Sequence, residues 1–176
     1  MLLRLTDVPW MLRPNAVESV LAAHPEDSRL VTSTVVFVWN PRGELLLTRV
    51  ASRGWDVPGG PVEPGEAPGE TASRELHEET GVALPVAELR PAGFVRLRLD
   101  APRPARYGYP YPVSFMLAWT CQAGQARPSP VPGSECVEAA WLSLDAAHSH
   151  LAGGPWWPLA AAVAPGAQAA VHARRE

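Results

Sequence analysis

A run of acidic side chains between residues 60 and 82 is the part of this sequence best suited to chemistry. The segment reads GPVEPGEAPGETASRELHEETGV. On a helix of about 100° per residue, Glu75, Glu78 and Glu79 lie within roughly 100° of one another, so they share a face. Carboxylates this close repel one another, and the negative end of a helix adds to the repulsion. Because their oxygens suit Mg²⁺ or Mn²⁺, the spacing predicts a metal-binding face.

A solvated acidic face is the competing interpretation, because glutamate-rich helices usually present that face to water. One ion pair, between Arg74 and Glu78 at i,i+4, would stabilise the helix by only a few tenths of a kcal/mol, which offsets little of this repulsion. The Gly- and Pro-rich stretch before the helix, residues 55–65 (WDVPGGPVEPG), and the adjacent Arg74-Glu75 pair favour the metal-binding interpretation.

The fixed positions of this segment are Gly60, Glu66, Arg74-Glu75-Leu76, Glu78-Glu79 and Gly81-Val82. Their order and spacing resemble the signature of the Nudix hydrolase family at every fixed position. The resemblance implies an enzyme that cuts a pyrophosphate bond in a nucleoside diphosphate linked to another group. It also implies a mixed sheet sandwiched between helices, with a loop–helix–loop that bears the metal site. No subfamily is indicated by the residues that follow the signature.

The resemblance assigns roles to individual residues of this segment. Glu75, Glu78 and Glu79 are implied to be the metal-facing carboxylates, with the backbone carbonyl of Gly60 as a further ligand and Mg²⁺ or Mn²⁺ as cofactor. Arg74 is expected to orient Glu75 through a charge-assisted hydrogen bond. Glu66 is expected to steady the loop.

The base that takes a proton from the attacking water is open between two candidates. Glu75 is one of them. The family also places an acidic residue on a loop after the later strands, which here reads Ser134-Glu135-Cys136-Val137-Glu138. We favour Glu135 over Glu138, because Glu138 falls within a predicted strand.

Arginines and tyrosines are the candidates for binding the rest of the substrate. Guanidinium groups suit phosphates, and aromatic faces suit a base or sugar. On this ground the predicted substrate-binding residues are Arg49, Arg53, Arg96, Arg98, Arg106 and Tyr107. The alternative is that Arg96 and Arg98 form the polar face of an alternating strand and that the tyrosines pack a proline-rich loop.

The elements expected to position these residues make a mixed α/β fold, a Nudix-type α/β/α sandwich. We expect an N-terminal extension over residues 1–28, a Nudix hydrolase domain over 29–150 and a helical, Ala-rich tail over 151–176. Helices are expected over residues 16–23, 67–80 and a short stretch near 145–150, and Asn15 would cap the first of them. Strands are expected over residues 30–39, 44–50, 94–99, 113–120 and 137–142.

Length and composition exclude several classes of protein. The 176 residues are about one domain, and 47% hydrophobic residues exclude a wholly disordered chain. A net charge of −3 argues against stable nucleic-acid or membrane binding, and two cysteines exclude a disulfide scaffold. Because no apolar stretch reaches about 18 residues, we expect a cytoplasmic protein, with Cys121 and Cys136 as inert thiols. The apolar tail at 156–163 would pack on the domain or form a homodimer contact.

The functional expectation is a hydrolase of a small nucleotide-derived substrate. A triphosphate pyrophosphohydrolase that removes modified nucleotides is the alternative within the same enzyme class. A module that binds nucleotide without cleaving it is the alternative from another class; the retained carboxylates Glu75, Glu78 and Glu79 argue against it.

Overall fold

Nine strands pair into one mixed sheet in the computed structural model, which describes residues 1–124 and 127–165. The strands β1 to β9 are Leu3–Thr6, Asn15–Val20, Val31–Trp39, Leu45–Val50, Gly54–Asp56, Gly59–Pro61, Arg90–Leu99, Val113–Gln122 and Cys136–Leu142. The helices α1 to α3 are Pro68–Thr80, Leu144–Leu151 and Trp156–Val163, and short 3-10 helices cover Ser28–Leu30 and Val86–Glu88.

The sheet is ordered β1-β2-β7-β8-β3-β4-β5, with β6 paired to β3 and β9 paired to β4. Strands β3 and β8 run parallel, whereas the other pairs are antiparallel. Helix α1 covers one face, where its Leu76 packs with Val36 of β3. Helices α2 and α3 cover the opposite face, where Leu159 packs with Phe37. The predicted mixed α/β sandwich is confirmed.

Helix α1 begins and ends where the sequence predicts. Pro68 occupies the first turn, where its missing N–H costs little, and the Glu70 carboxylate accepts a hydrogen bond from the Ala67 N–H at 2.8 Å. Gly81 ends the helix in the left-handed conformation, with φ 71°, and donates its N–H to the His77 carbonyl at 2.8 Å. The helix therefore holds its acidic residues between two well-defined ends.

The prediction of a helix over residues 16–23 is wrong. This segment forms β2, which pairs with β1 on one side and with β7 on the other. Asn15 does not cap a helix, because its side chain bonds the loop before it. Pairing along both edges of β2 outweighs the local helix preference of the alanine-rich sequence. The N-terminal residues thereby belong to the same sheet as the rest of the chain.

The remaining predicted elements agree with the structure apart from their ends. The hairpin of β3 and β4, the strands β7, β8 and β9 and the helix α2 all form where expected. The short strands β5 and β6 replace part of the loop expected around residues 55–65, and the rest of that stretch is loop. Part of the expected loop at 124–134 and the tail at 166–176 lie outside the described residues.

Helix α3 carries the apolar patch expected in the C-terminal tail. Its Trp156, Leu159 and Ala160 are buried in the core, so the described part of the tail packs on the domain. Among the described residues, no helix is both long and apolar enough to cross a bilayer.

Candidate functional site

Arg74 lies at the centre of the ionic contacts that join α1 to the preceding loop. Its guanidinium donates to both oxygens of Glu66, at 2.9 and 3.0 Å, to Glu75 at 2.8 Å and to Glu78 at 3.3 Å. Glu66 also accepts from the Thr71 hydroxyl at 2.7 Å. The Arg74 ion pair lowers the pKa of Glu66 to about 2. Glu66 therefore stays ionised and ties the loop to the helix, as expected.

The Glu75 carboxylate lies directly against the backbone of Gly60. A Cβ atom added to Gly60 would overlap this carboxylate, so only glycine leaves room for it. Partial burial raises the pKa of Glu75, an effect that the Arg74 hydrogen bond opposes. Gly60 thus forms a cradle in which the Glu75 oxygens and the Gly60 backbone come together.

Glu79 is the most enclosed of the three carboxylates, with 4% of its surface exposed. One oxygen accepts the Gly59 N–H at 2.9 Å, and the other lies 3.2 Å from the Cys136 sulfur. Burial, with smaller contributions from the negative charges of Glu75 and Glu135, raises the pKa of Glu79 to about 7, although the hydrogen bonds from Gly59 and Cys136 oppose this shift. Glu79 therefore carries a proton readily until a cation or a donor stabilises its charge.

Glu78 differs from its neighbours in being open to solvent, with 48% of its side chain exposed. Among the described residues, no three acidic, histidine or cysteine side chains already form a coordination cage. Arg74 bonds Glu75 and Glu78, whereas Gly59 and Cys136 bond Glu79. The donor set itself, all oxygens beside a glycine cradle, fits Mg²⁺ or Mn²⁺.

A cleft of about 530 Å³ begins at Glu79 and extends across the sheet. Gly59, Gly60 and Glu79 form part of its wall at one end, which we call the metal end after the ion that this donor set fits. The rest of the wall comes from strands β3, β4, β5, β7 and β8, from the loops before β2, β5, β6 and β8, from the last residue of β6 and from Trp156 of α3. This volume is in the range of small-molecule sites, so Glu79 faces a space that a nucleotide-sized ligand can enter.

Comparison with known proteins identifies the family of this arrangement. The family model described as NUDIX domain matches residues 29–162, which is most of the chain. The chain belongs to the Nudix family.

Individual relatives are moderately similar to this Nudix chain. An isopentenyl-diphosphate Delta-isomerase of Streptomyces griseus is 33% identical over 127 residues, covering 66% of this chain and 58% of the relative. An RNA pyrophosphohydrolase of Erythrobacter litoralis is 34% identical over 93 residues, covering 51% of this chain and 52% of the relative. The chain therefore spans little more than half the length of these relatives.

A solved structure supports the fold. The crystal structure of a Bacillus subtilis pyrophosphohydrolase superposes with a TM-score of 0.57 at 22% identity, covering 78% of this chain and 75% of that chain. At this identity the likeness concerns the fold alone. The Nudix sandwich is thus supported by the sequence signature and by the arrangement of the elements.

Of the six predicted substrate residues, the structure places two on the cleft. Arg53 and Tyr107 line it. Arg106 is exposed on the loop before β8 and lies outside the cleft wall. Arg49, in β4, also lies outside and bonds Glu138 at 2.9 Å.

Arg96 and Arg98 point to the opposite face of the sheet from the cleft. Successive side chains of a strand alternate between faces, and in β7 Leu97 and Leu99 are the residues that line the cleft. Arg96 bonds Glu18 at 2.8 Å and also pairs with Glu26; Arg98 pairs with Asp100 at 2.8 Å. The predicted contact of Arg96 and Arg98 with substrate is therefore not supported by their position. That position favours the alternative interpretation, in which both arginines belong to the polar face of the strand.

The predicted base Glu135 lies close to the carboxylate site. It pairs with Arg53 at 2.7 Å, most of its side chain is exposed, and its charge contributes to the raised pKa of Glu79. Glu138 instead pairs with Arg49 on the neighbouring strand. The structure therefore brings Glu135, rather than Glu138, together with a residue of the cleft.

Sequence reasoning missed several residues of the site. Burial, and next its hydrogen bond to Glu79, raise the pKa of Cys136 to about 11, in agreement with the inert thiol that was expected; the sequence did not indicate that this thiol donates to Glu79. Asp56 lines the cleft beside Arg53, and burial raises its pKa. Trp10 lines the cleft from the N-terminal segment. No signal in the sequence connected residues 10–12 with the cleft, because their place in its wall depends on the pairing of β2 with β7.

Proposed function

We propose that this Nudix protein is a Mg²⁺- or Mn²⁺-dependent hydrolase that cuts a pyrophosphate bond in a nucleoside diphosphate linked to another group. The observation that carries the proposal is the group of carboxylates on α1, of which Glu79 lines the cleft and bonds Gly59, while Glu75 is seated against Gly60 of the same wall. Oxygen-rich sites of this kind suit hard divalent cations.

The proposed ligands are Glu75, Glu78, Glu79 and the carbonyl oxygen of Gly60. The bound cation would neutralise charge on the phosphate oxygens and lower the pKa of the attacking water. Arg74 would hold Glu75 in position through its 2.8 Å hydrogen bond. Because Arg74 also pairs with Glu78, that contact must loosen before Glu78 can act as a ligand.

Glu135 is our proposed proton acceptor, with Glu75 as the alternative. In the reaction, the water oxygen bonds to one phosphorus, its proton passes to the carboxylate, and the bond to the bridging oxygen breaks. Arg53 supports this role, since it lies on the cleft wall and holds Glu135 at 2.7 Å. A guanidinium at that position can also pair with a phosphate oxygen of the substrate.

Product analysis tests the proposal. The protein would be incubated with Mg²⁺ or Mn²⁺ and a panel of nucleoside diphosphate derivatives, nucleoside triphosphates and isopentenyl diphosphate. A mononucleotide together with a phosphorylated second product supports the proposal. Inorganic pyrophosphate from a triphosphate would favour the nucleotide-removing alternative instead. Isomerised isopentenyl diphosphate would indicate the chemistry named for one relative.

A non-catalytic role is distinguished by the same panel. Tight equilibrium binding of a nucleotide without turnover in either cation would refute the hydrolase and support a binding module. The intact carboxylate set of α1 is the reason that we expect turnover.

A further inference from the structure

The cleft changes in character from one end to the other. Among the described residues of its wall, the charged side chains are Arg53, Asp56 and Glu79. Arg53 follows β4, and Glu79 bonds Gly59 of β6, which pairs with β3. The other end is walled by β7 and by the loop before β2, and β8 lies between the two ends. At about 4.8 Å between neighbouring strands, β7 and β4 are roughly 14 Å apart.

Large apolar side chains line that distant end. Trp10 and Leu12 belong to the loop between β1 and β2, and 55% and 53% of their surfaces remain exposed. Tyr107 and Tyr109 come from the loop before β8, with their rings in an edge-to-face contact at 5.6 Å. Exposed aromatic side chains gathered on the wall of a cleft are suited to covering an apolar ligand surface.

The loop that carries Trp10 is held in one conformation by the buried side chain of Asn15. Its carbonyl oxygen accepts the Val8 N–H at 3.0 Å, and its amide donates to the carbonyls of Val8 at 3.2 Å and Leu12 at 3.0 Å. Because Asn15 itself lies in β2, these bonds fix the loop to the sheet. Trp10 is therefore presented to the cleft before any ligand arrives, which reduces the entropy cost of binding.

We infer that Trp10, together with Tyr107 and Tyr109, determines specificity by binding an uncharged ring at the end of the substrate away from the pyrophosphate. Among the described residues that line the cleft, the charged ones lie at the metal end, so a charged group finds no counter-ion at the other end of this wall. Stacking on aromatic side chains accepts any planar group, so the wall selects a ring and rejects a phosphate. This inference rests on the proposed function for the position of the pyrophosphate.

Calorimetric binding in saturating Mg²⁺ tests the inference with two non-hydrolysable probes. α,β-Methylene-ADP carries a ring and methylenediphosphonate carries none. We expect the first to bind wild type about tenfold or more tightly than the second. Trp10→Ala should raise the Kd of α,β-methylene-ADP by about tenfold and change the Kd of methylenediphosphonate by less than about twofold. Trp10→Phe should restore most of the lost affinity for α,β-methylene-ADP.

Two controls make the result specific. Leu21→Ala removes a similarly exposed apolar residue outside the cleft wall and should bind both probes as wild type does. 5-Phosphoribosyl 1-diphosphate, which has a charged end, should compete with α,β-methylene-ADP no better than methylenediphosphonate does. Strong competition by it, or equal effects of Trp10→Ala on both probes, would overturn the inference. Ring preference without hydrolysis of any panel substrate would refute the proposed function alone.

Discussion

Gly60→Ala tests whether the position of the Glu75 carboxylate governs the reaction. The farthest of three Glu75 carboxylate atoms would lie 2.8 Å from the new Cβ, against ordinary contacts of 3.4 Å and more. The group must therefore move by more than about half an ångström, and displacements of about 1 Å can cost about 10²-fold in rate. We expect kcat/KM to fall by about 10- to 100-fold.

Folding should be much less affected by the same substitution. The atoms that the new Cβ meets belong to the end of a flexible side chain, which can turn away. We therefore expect the free energy of unfolding to change by less than about 1 kcal/mol. Gly59→Ala provides a contrast, because its Cβ would overlap the backbone of Thr34 and should destabilise the fold itself.

Hydrolysis in saturating Mg²⁺, measured beside thermal unfolding, separates these effects. Gly153→Ala is a matched control, since no atom lies within 4 Å of its added Cβ, and it should keep wild-type activity. Wild-type kcat/KM in Gly60→Ala would refute the reasoning that this cradle positions Glu75. A folded variant with reduced kcat/KM would support it.

Three further predictions concern the neighbouring carboxylates. Glu78→Gln or Glu79→Gln should lower kcat by about 10²-fold or more in a folded protein, which steady-state kinetics and circular dichroism would show; wild-type kcat in both would remove them from the metal site. Glu135→Gln should flatten the rise of rate with pH, whereas Glu138→Gln should keep the wild-type profile; an unchanged profile in Glu135→Gln would return the base role to Glu75. When a chelator removes metal ions, the free energy of unfolding should fall as pH rises from about 4.5 to about 7. The reason is that the pKa of Glu79 is raised to about 7 in the folded state, so ionising this buried carboxyl costs more in the folded protein than in the unfolded chain. Thermal unfolding against pH checks this, and a slope that persists in Glu79→Gln would contradict the assignment.

The residues of α1 and its flanking loops were predictable because they are neighbours along the chain. Helical periodicity places Glu75, Glu78 and Glu79 on one side, and Pro68 and Gly81 mark the ends of the helix. Each of these features depends on local geometry. The contacts of Arg74 with Glu66 and Glu75 follow from the same short segment.

Local sequence patterns could not predict which strands pair with one another. The alanine- and valine-containing segment of β2 is compatible with a helix, and only its hydrogen bonds to β1 and β7 make it a strand. The same pairing brings Trp10 to the cleft. Arg96 and Arg98 were plausible phosphate ligands until the register of β7 turned Leu97 and Leu99 toward the cleft.

The order of residues along the chain was enough to establish the family, the acidic face of α1 and the mixed α/β class. The different environments of the three carboxylates were decided only by tertiary structure, which buries Glu79 against Gly59 and Cys136 and leaves Glu78 half exposed. The physical reason is that periodicity reports the direction in which a side chain points. Burial, ion pairing and the wall of a cleft depend on segments that are distant in sequence and meet only in the folded protein.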